Sequence, residues 1–170
     1  MTSLQRPGFV HSAPGIAESG LLRRTLQAAL ADRPLWEPLI QFDSENRWYQ
    51  RLEPTLDFDG ELWLISWLPG QTTGLHDHGD SAGAFVVVEG ELTEDFVDVT
   101  PNGLELLRVT RRVGAPRVFG HRYLHNVINT SDTPAVTVHA YTPELTFMTT
   151  YAWGDHGPEA LRVQRVGEDW

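Results

Sequence analysis

His76 and His78 are the side chains whose type and spacing most directly suggest chemistry, and they stand at the start of the segment GLHDHGDSAGAFVVVEG, residues 74–90. Alternate side chains of an extended segment point to the same face, so both imidazoles would face one side. Two imidazole nitrogens on one face can bind one metal ion. A His-x-His pair also occurs in ordinary polar loops, so the pair alone does not establish a metal site.

A third histidine, His125, follows on a later predicted strand and opens a His-x-x-x-Asn motif over residues 125–129. Gly70 lies six residues before His76, and Gly90 lies seven residues after Gly83. Together these spacings resemble the two motifs of the cupin superfamily, in which three histidines and usually a glutamate hold a metal inside a small β-barrel. The Pro-x-Gly that usually precedes the later histidine is missing. The resemblance implies a metal site formed by His76, His78 and His125.

Gly83 stands where most cupins have the metal-binding glutamate. Three histidines without a carboxylate leave a divalent ion with its full charge and leave open positions in its coordination shell. Such a centre suits a bidentate anionic substrate together with dioxygen better than it suits a zinc hydrolase. Zinc sites with three histidines also exist, so the ligand pattern does not decide the metal.

Strand alternation divides residues 136–141 into two chemically different faces. One face is aliphatic, and the other carries a hydroxyl, an imidazole and a phenol, which can form a hydrogen-bonded relay. The alternative is a half-exposed strand whose polar face meets water. The bond between Thr142 and Pro143, directly after the strand, is a candidate for the cis form. The polar face consists of Thr137, His139 and Tyr141.

Arg51 is a candidate for binding a substrate carboxylate, because a guanidinium offers a planar fork that pairs with both carboxylate oxygens. Alternation places Arg51 on the same strand face as Tyr49 and places Gln50 on the opposite face. The alternative is an ordinary surface arginine on an edge strand.

These four motifs occur in an order that resembles the thiol dioxygenases, and within them the cysteine dioxygenase family, over residues 45–150. In that family the polar row begins with serine, so Thr137 keeps the hydroxyl. Mammalian members carry, at the position of Gly83, a cysteine crosslinked to the tyrosine that matches Tyr141. Many bacterial members have glycine there, and this chain contains no cysteine, so it cannot form the crosslink.

The resemblance implies an all-β, jelly-roll-like small barrel of the cupin type, preceded by a short helical N-terminal segment. It implies Fe(II) on the three histidines and oxidation of L-cysteine by dioxygen to cysteine sulfinate. Tyr141, supported by His139 and Thr137, would donate a hydrogen bond at the reacting centre. Arg51, with Tyr49 beside it, would bind the substrate carboxylate.

Three other functions remain open from the sequence. The first is dioxygenation of an amine-free thiol such as 3-mercaptopropionate, because relatives of that type tend to have glutamine at the arginine position and Gln50 is adjacent to Arg51. The second is a cupin that binds a metal or small ligand without turnover. The third is a different metal in the same site, serving isomerase or ring-cleaving chemistry.

Composition narrows the partners and the compartment. The 170 residues carry a formal charge of −10 and no basic cluster, which argues against nucleic acids and anionic membrane surfaces. No apolar run is long enough to span a membrane. We therefore expect a cytoplasmic protein whose partners are a small thiol and dioxygen, and the sequence leaves open whether it is a monomer or a homo-oligomer.

The expected layout is a single domain over residues 1–170. Residues 1–44 would form an irregular arm to about residue 20 and then a helix ended by Pro34. Residues 45–152 would form the barrel, and residues 153–170 a tail without an assigned structure. Outside the site we expect Trp67 in the core, Asp77 turned away from the metal, and a solvated charged edge. That edge comprises Glu89, Glu91 and Glu94, and the histidines left outside the site are His11, His121 and His156.

Overall fold

The computed structural model describes residues 13–54 and 56–165, which form two antiparallel sheets preceded by helices. The helices are α1 (Ile16–Ala31), α2 (Arg33–Trp36) and a 3-10 turn (Glu37–Leu39). The strands are β1 (Trp48–Leu52), β2 (Glu61–Trp67), β3 (Leu75–Asp77), β4 (Ala82–Glu89), β5 (Glu91–Thr100), β6 (Gly103–Arg112), β7 (Arg117–Phe119), β8 (His125–Ile128), β9 (Ala135–Thr142), β10 (Phe147–Gly154) and β11 (Gly157–Arg165).

The N-terminal helix begins earlier than its apolar spacing predicted, so the irregular arm expected to residue 20 is wrong from Ile16 onward. The Glu18 carboxylate accepts a hydrogen bond from the backbone N–H of Gly15, which stabilises the first turn ahead of the apolar stripe. Pro34 does not end this helix. It lies in the first turn of α2, where a missing N–H costs nothing. Residues 1–12, including His11, lie outside the described residues.

The first sheet has the order β1-β2-β9-β4-β7, and the second has the order β11-β10-β3-β8-β5-β6. Helix α1 packs on the outer face of the first sheet, against β4 and β9. Alternate side chains of these strands meet the apolar stripe of the helix and form a buried cluster. Its central members are Leu22, Leu26, Ala29, Val86, Val88, Val136, Val138 and Ala140.

The opposite faces of β4 and β9 point toward the second sheet and form an inner core with it. The two-faced pattern predicted for residues 136–141 is therefore confirmed, although both faces are buried and neither meets bulk water. Trp67 is fully buried, as predicted. The Thr142–Pro143 bond is cis, as the sequence suggested. The inner core includes Ile65, Trp67, Phe85, Leu92, Phe119 and Val127.

The second sheet continues past residue 152, where the sequence analysis ended the barrel. Strand β11 pairs antiparallel with β10, with Gly154 opposite Gly157 across a tight turn. The strand was missed because most of its residues are exposed and it lacks a regular apolar alternation. In the described part of the chain, no helix is long and apolar enough to cross a membrane.

Candidate functional site

The three predicted histidines meet between the sheets. His76 on β3 lies directly opposite His125 on β8, and His78 follows two residues after His76 on the same face. One ring nitrogen from each residue lies within 4.8 Å of the others, and all three side chains are buried. The alternation argument and the spacing of the later motif therefore predicted a real convergence of imidazoles.

The His76–His78 pair has the spacing of two ligands of one divalent cation. His76 Nε2 and His78 Nε2 are 3.1 Å apart, and two nitrogens bound at right angles to one ion at about 2.1 Å would be about 3.0 Å apart. Burial lowers the pKa of both imidazoles well below the ordinary value, and the charges of neighbouring histidines lower it further. Neutral rings keep a lone pair on the nitrogen that faces the cluster, as metal binding requires.

The opposite ring nitrogens have three different environments. His76 Nδ1 lies 3.0 Å from the backbone carbonyl of Gly74, which accepts its proton. His125 Nδ1 lies 2.9 Å from Oε1 of Glu94. His78 Nδ1 is buried and has no hydrogen-bond partner in the described part of the chain. Only one of the three imidazoles is therefore held by a carboxylate.

Glu94 corrects the prediction of a solvated charged edge, because its side chain is fully buried. Strand β5 lies between β6 and β8, so a residue facing inward from it cannot reach solvent. Burial raises the pKa of the Glu94 carboxyl, but the hydrogen bond and charge of His125 and the charge of Arg111 outweigh burial and lower it to about 2. The sequence carried a usable signal, since alternation puts Glu94 on one face with Leu92 and Phe96.

Asp77 is buried but does not face the histidine cluster, in agreement with its predicted orientation. Its Oδ1 accepts a hydrogen bond from the Gly79 backbone N–H at 2.9 Å, and its Oδ2 accepts one from the Tyr151 hydroxyl at 2.7 Å. Asp77 thus holds the loop that carries His78 rather than offering a ligand atom.

Phe119 fills the space that the sequence left unexplained at Gly83. A Cβ on Gly83 would lie 2.5 and 2.6 Å from two Phe119 ring carbons and 2.9 Å from a Tyr141 ring carbon. The Phe119 ring stacks on His78 at 5.1 Å between centroids. A side chain at position 83 would therefore require the Phe119 ring to move, and in this structure that ring packs against His78.

This close approach predicts coupled stability effects at positions 83 and 119. Gly83→Ala should lower the free energy of unfolding by about 1–3 kcal/mol, because overpacking forces neighbouring groups to move. In the Phe119→Ala background the same change should cost at least about 1 kcal/mol less, as measured by denaturant unfolding of the four proteins of the cycle. Additive effects of the two substitutions would contradict the proposed contact.

The predicted polar row of β9 forms a continuous buried chain. Tyr141 Oη lies 3.2 Å from His139 Nδ1, and His139 Nε2 lies 2.9 Å from Thr137 Oγ1. Burial is the main reason why the pKa of His139 is lowered to about 3. Burial is also the main reason why the pKa of Tyr141 is raised. The chain therefore contains a neutral imidazole and a protonated phenol. It ends at Trp67, whose indole N–H donates to Thr137 Oγ1 at 2.9 Å, a contact that the sequence did not predict.

Arg51 lies on the predicted strand face but outside the cavity. Its side chain is 49% exposed and pairs with Glu144 and, at 3.9 Å, with Glu61. Gln50 points elsewhere and donates to the Arg51 carbonyl. The alternation argument was right about the face, but β1 carries Arg51 to the rim, where two carboxylates bind it. This placement does not support the predicted carboxylate-binding role of Arg51.

Arg47 lines the cavity instead. Its guanidinium lies over the rings of Tyr49 and Trp67, at 5.2 and 5.3 Å from their centroids. Burial lowers its pKa, and among residues 13–54 and 56–165 no carboxylate forms an ion pair with it. The sequence held a signal, because Arg47 lies two residues before Tyr49 and shares its face. The site therefore contains a half-buried cation that can meet an anion.

Six of the polar side chains described above border one cavity of about 540 Å³ between the two sheets. Its volume is in the range of small-molecule sites in proteins. His121, which is half-buried, and His156, which is exposed, both lie away from it, as expected. The chemically active side chains on its wall are Arg47, Tyr49, His76, His125, His139 and Tyr141.

Comparison with known proteins gives a consistent picture. Residues 17–153 match the family model of cysteine dioxygenase type I. Cysteine dioxygenase type 1 of Danio rerio is 28% identical over 118 residues, which cover 64% of this chain and 57% of that protein. The chain thus spans little more than half the length of this curated relative.

Two solved structures share the fold. The protein TT1209 from Thermus thermophilus superposes with a TM-score of 0.53 at 19% identity, over 64% of this chain and 93% of that chain. A structure of oxalate oxidase gives 0.50 at 18% identity, over 75% of this chain and 61% of that one. The two-sheet architecture confirms the predicted all-β, cupin-type fold. On the family match over most of its length, the chain belongs to the cysteine dioxygenase type I family.

Proposed function

We propose that this chain is an iron-dependent thiol dioxygenase that uses dioxygen to convert L-cysteine to cysteine sulfinate. The observation that carries the proposal is that the histidine cluster, through His76 and His125, and the β9 chain, through His139 and Tyr141, border one cavity. Family membership supports the same chemistry. Fe(II) held by His76, His78 and His125 would supply coordination of the thiolate and activation of dioxygen.

The hydrogen-bonded chain of β9 sets the direction of the Tyr141 proton. Thr137 has one hydroxyl proton and two candidate acceptors, His139 Nε2 at 2.9 Å and the Ile65 carbonyl at 3.4 Å. The shorter contact favours donation to His139. Neutral His139 then carries its single proton on Nδ1 and donates it to Tyr141 Oη, which leaves the phenol proton free to point into the cavity. Tyr141 therefore acts as a donor at the reacting centre, and His139 and Thr137 position it.

Tyr141→Phe should lower kcat about 10- to 100-fold, because it removes one hydrogen bond to a charged reacting group. Iron content should stay at the wild-type level, since the phenol is not a ligand. Steady-state oxygen consumption and metal analysis of the same preparation measure both quantities. Loss of iron in Tyr141→Phe would mean that the residue supports the metal site and not the reaction.

Arg47 is the residue that we propose to bind the substrate carboxylate, in place of Arg51. It combines a fixed positive charge with a cavity position beside Tyr49 and Tyr141. Stacking on two rings holds the planar fork in one orientation, which lowers the entropy lost on pairing with a carboxylate. Cysteine and 3-mercaptopropionate both carry this carboxylate, so Arg47 accommodates either and the amine distinguishes them.

We also propose that the protein acts in the cytoplasm. A reducing cytoplasm keeps small thiols in the free form that such an enzyme needs. A cupin that only binds a ligand has no need for a buried hydroxyl–imidazole–phenol chain ending at the cavity, so the chain favours catalysis over storage or sensing.

The direct test is oxygen uptake by iron-loaded protein with cysteine, 3-mercaptopropionate and cysteamine. We expect the fastest uptake with cysteine and slow uptake with cysteamine, which lacks the carboxylate. Faster turnover of 3-mercaptopropionate would transfer the substrate assignment to amine-free thiols. Absence of uptake with all three thiols would contradict thiol dioxygenation.

A further inference from the structure

A buried ionic cluster contacts Nδ1 of His125, the ring nitrogen on the opposite side of the imidazole from the predicted metal ligand. Glu94 Oε1 accepts hydrogen bonds from His125 Nδ1 at 2.9 Å and from the Tyr123 hydroxyl at 3.2 Å. Its Oε2 is 2.6 Å from Arg111 Nη2 and 3.8 Å from Arg117 Nε. One oxygen thus faces His125, and the other faces two cations, Arg111 on the edge strand of the second sheet and Arg117 on the edge strand of the first.

The two sides of this carboxylate differ in their access to water. The side chains of Arg111 and Arg117 are 26% and 31% exposed, so solvent weakens their pull on Glu94. His125 is buried, and a charge acts more strongly in the protein interior than near solvent. A fully buried carboxylate is a poor way to gain stability, because desolvation offsets much of the attraction in the ion pairs. The charge is therefore better explained by what it does to His125.

We propose that Glu94 is a positioning residue for the metal site. Its carboxylate holds the proton of His125 on Nδ1, directs the Nε2 lone pair into the cavity, and supplies close to the metal the negative charge that Gly83 cannot provide. A carboxylate behind a histidine raises the basicity of the ring and fixes its orientation. The inference rests on the metal-binding part of the proposed function and not on thiol oxidation.

The contacts of the cluster make the effect of Glu94→Gln specific. Arginine can only donate hydrogen bonds, so the single amide oxygen of glutamine would turn toward Arg111. The amide NH₂ would then face His125 Nδ1, which would have to accept, and the ring proton would move to Nε2. That tautomer places a proton where the lone pair for the metal should be.

Ring ¹⁵N NMR of metal-free protein tests the tautomer directly. In the wild type, His125 should carry its proton on Nδ1, and in Glu94→Gln the proton should appear on Nε2. A wild-type His125 protonated on Nε2 would overturn the proposal even if the variant fails to fold. An unchanged Nδ1 tautomer in a folded Glu94→Gln protein would also overturn it.

Anaerobic Fe(II) titration gives the second readout. Glu94→Gln should bind Fe(II) about 10- to 100-fold more weakly than the wild type, the range seen for changes behind metal ligands. Tyr123→Phe, which removes the other donor to the same oxygen and leaves the charge, should stay within about twofold. Wild-type affinity in folded Glu94→Gln overturns the inference, and weaker binding in both variants assigns the effect to general packing. If the wild type binds Fe(II) but oxidises no thiol, the proposed function fails while this comparison still stands.

Discussion

His78→Ala should abolish stoichiometric Fe(II) binding and lower thiol-dependent oxygen uptake at least about 100-fold. Substitution of a group that hydrogen-bonds to a metal ligand costs about 10- to 100-fold in metal affinity or activity, so loss of the ligand itself should cost more. His78 Nε2 lies 3.1 Å from the matching nitrogen of His76, and no carboxylate among the described residues joins the cluster to substitute for it. Metal analysis after dialysis, together with oxygen uptake, measures both effects.

His121→Ala is the matched control for this prediction. His121 is half-buried, and its Nδ1 lies 2.6 Å from the Asp80 carbonyl, outside the histidine cluster. The same substitution there should leave iron content and oxygen uptake within about twofold of the wild type. Equal loss of iron in both variants would indicate that His78 supports folding and is not a ligand.

Arg47→Ala should raise KM for cysteine and lower kcat/KM about 10- to 100-fold. The substitution removes a charge-assisted contact to the carboxylate, and a hydrogen bond to a charged group contributes about 1.5–3 kcal/mol, which corresponds to about 10- to 100-fold. It also removes a side chain that packs on Tyr49 and Trp67, so unfolding must be measured alongside. Steady-state kinetics with cysteine and cysteamine separates the two effects, since a thiol without a carboxylate should respond little.

Arg51→Ala provides the comparison that decides between the two arginines. Its partners are Glu144 and Glu61 at the rim, so its removal should change kcat/KM for cysteine by no more than about twofold. A large loss in Arg51→Ala with a small one in Arg47→Ala would restore the assignment made from the sequence. It would also mean that Arg51 leaves its two carboxylates when substrate binds.

The parts of the site that follow strand periodicity could be predicted from the sequence. His76 and His78, and the row that ends in Tyr141, depend only on which residues share a strand face. His125 was found because its motif has a fixed length and falls at the start of a strand. The cupin-type fold was implied by the resemblance of the two histidine motifs to those of the cupin superfamily.

The parts that depend on where a strand lies in its sheet could not be predicted in this way. Alternation put Arg47, Tyr49 and Arg51 on one face, but only the pairing of β1 shows that Arg51 is at the rim. Likewise, the sequence alone suggests that Glu94 is a surface charge, and its burial follows only from the position of β5 between β6 and β8.

The contact that replaces the cupin glutamate joins two distant segments. Gly83 on β4 pairs with Phe119 on β7, and the Phe119 ring occupies the volume beside His78. From the sequence, glycine at position 83 shows only that the usual glutamate side chain is absent. The identity of the group that fills the space is a property of tertiary packing, which strand periodicity does not report.

The measurement that tests the central claim most directly is mass spectrometry of the product formed from cysteine under ¹⁸O₂ by iron-loaded protein. Dioxygenation predicts a sulfinate in which both added oxygen atoms are ¹⁸O, with no label from water. Disulfide as the main product, or a sulfinate that takes an oxygen from water, would contradict the assignment of this chain as a thiol dioxygenase.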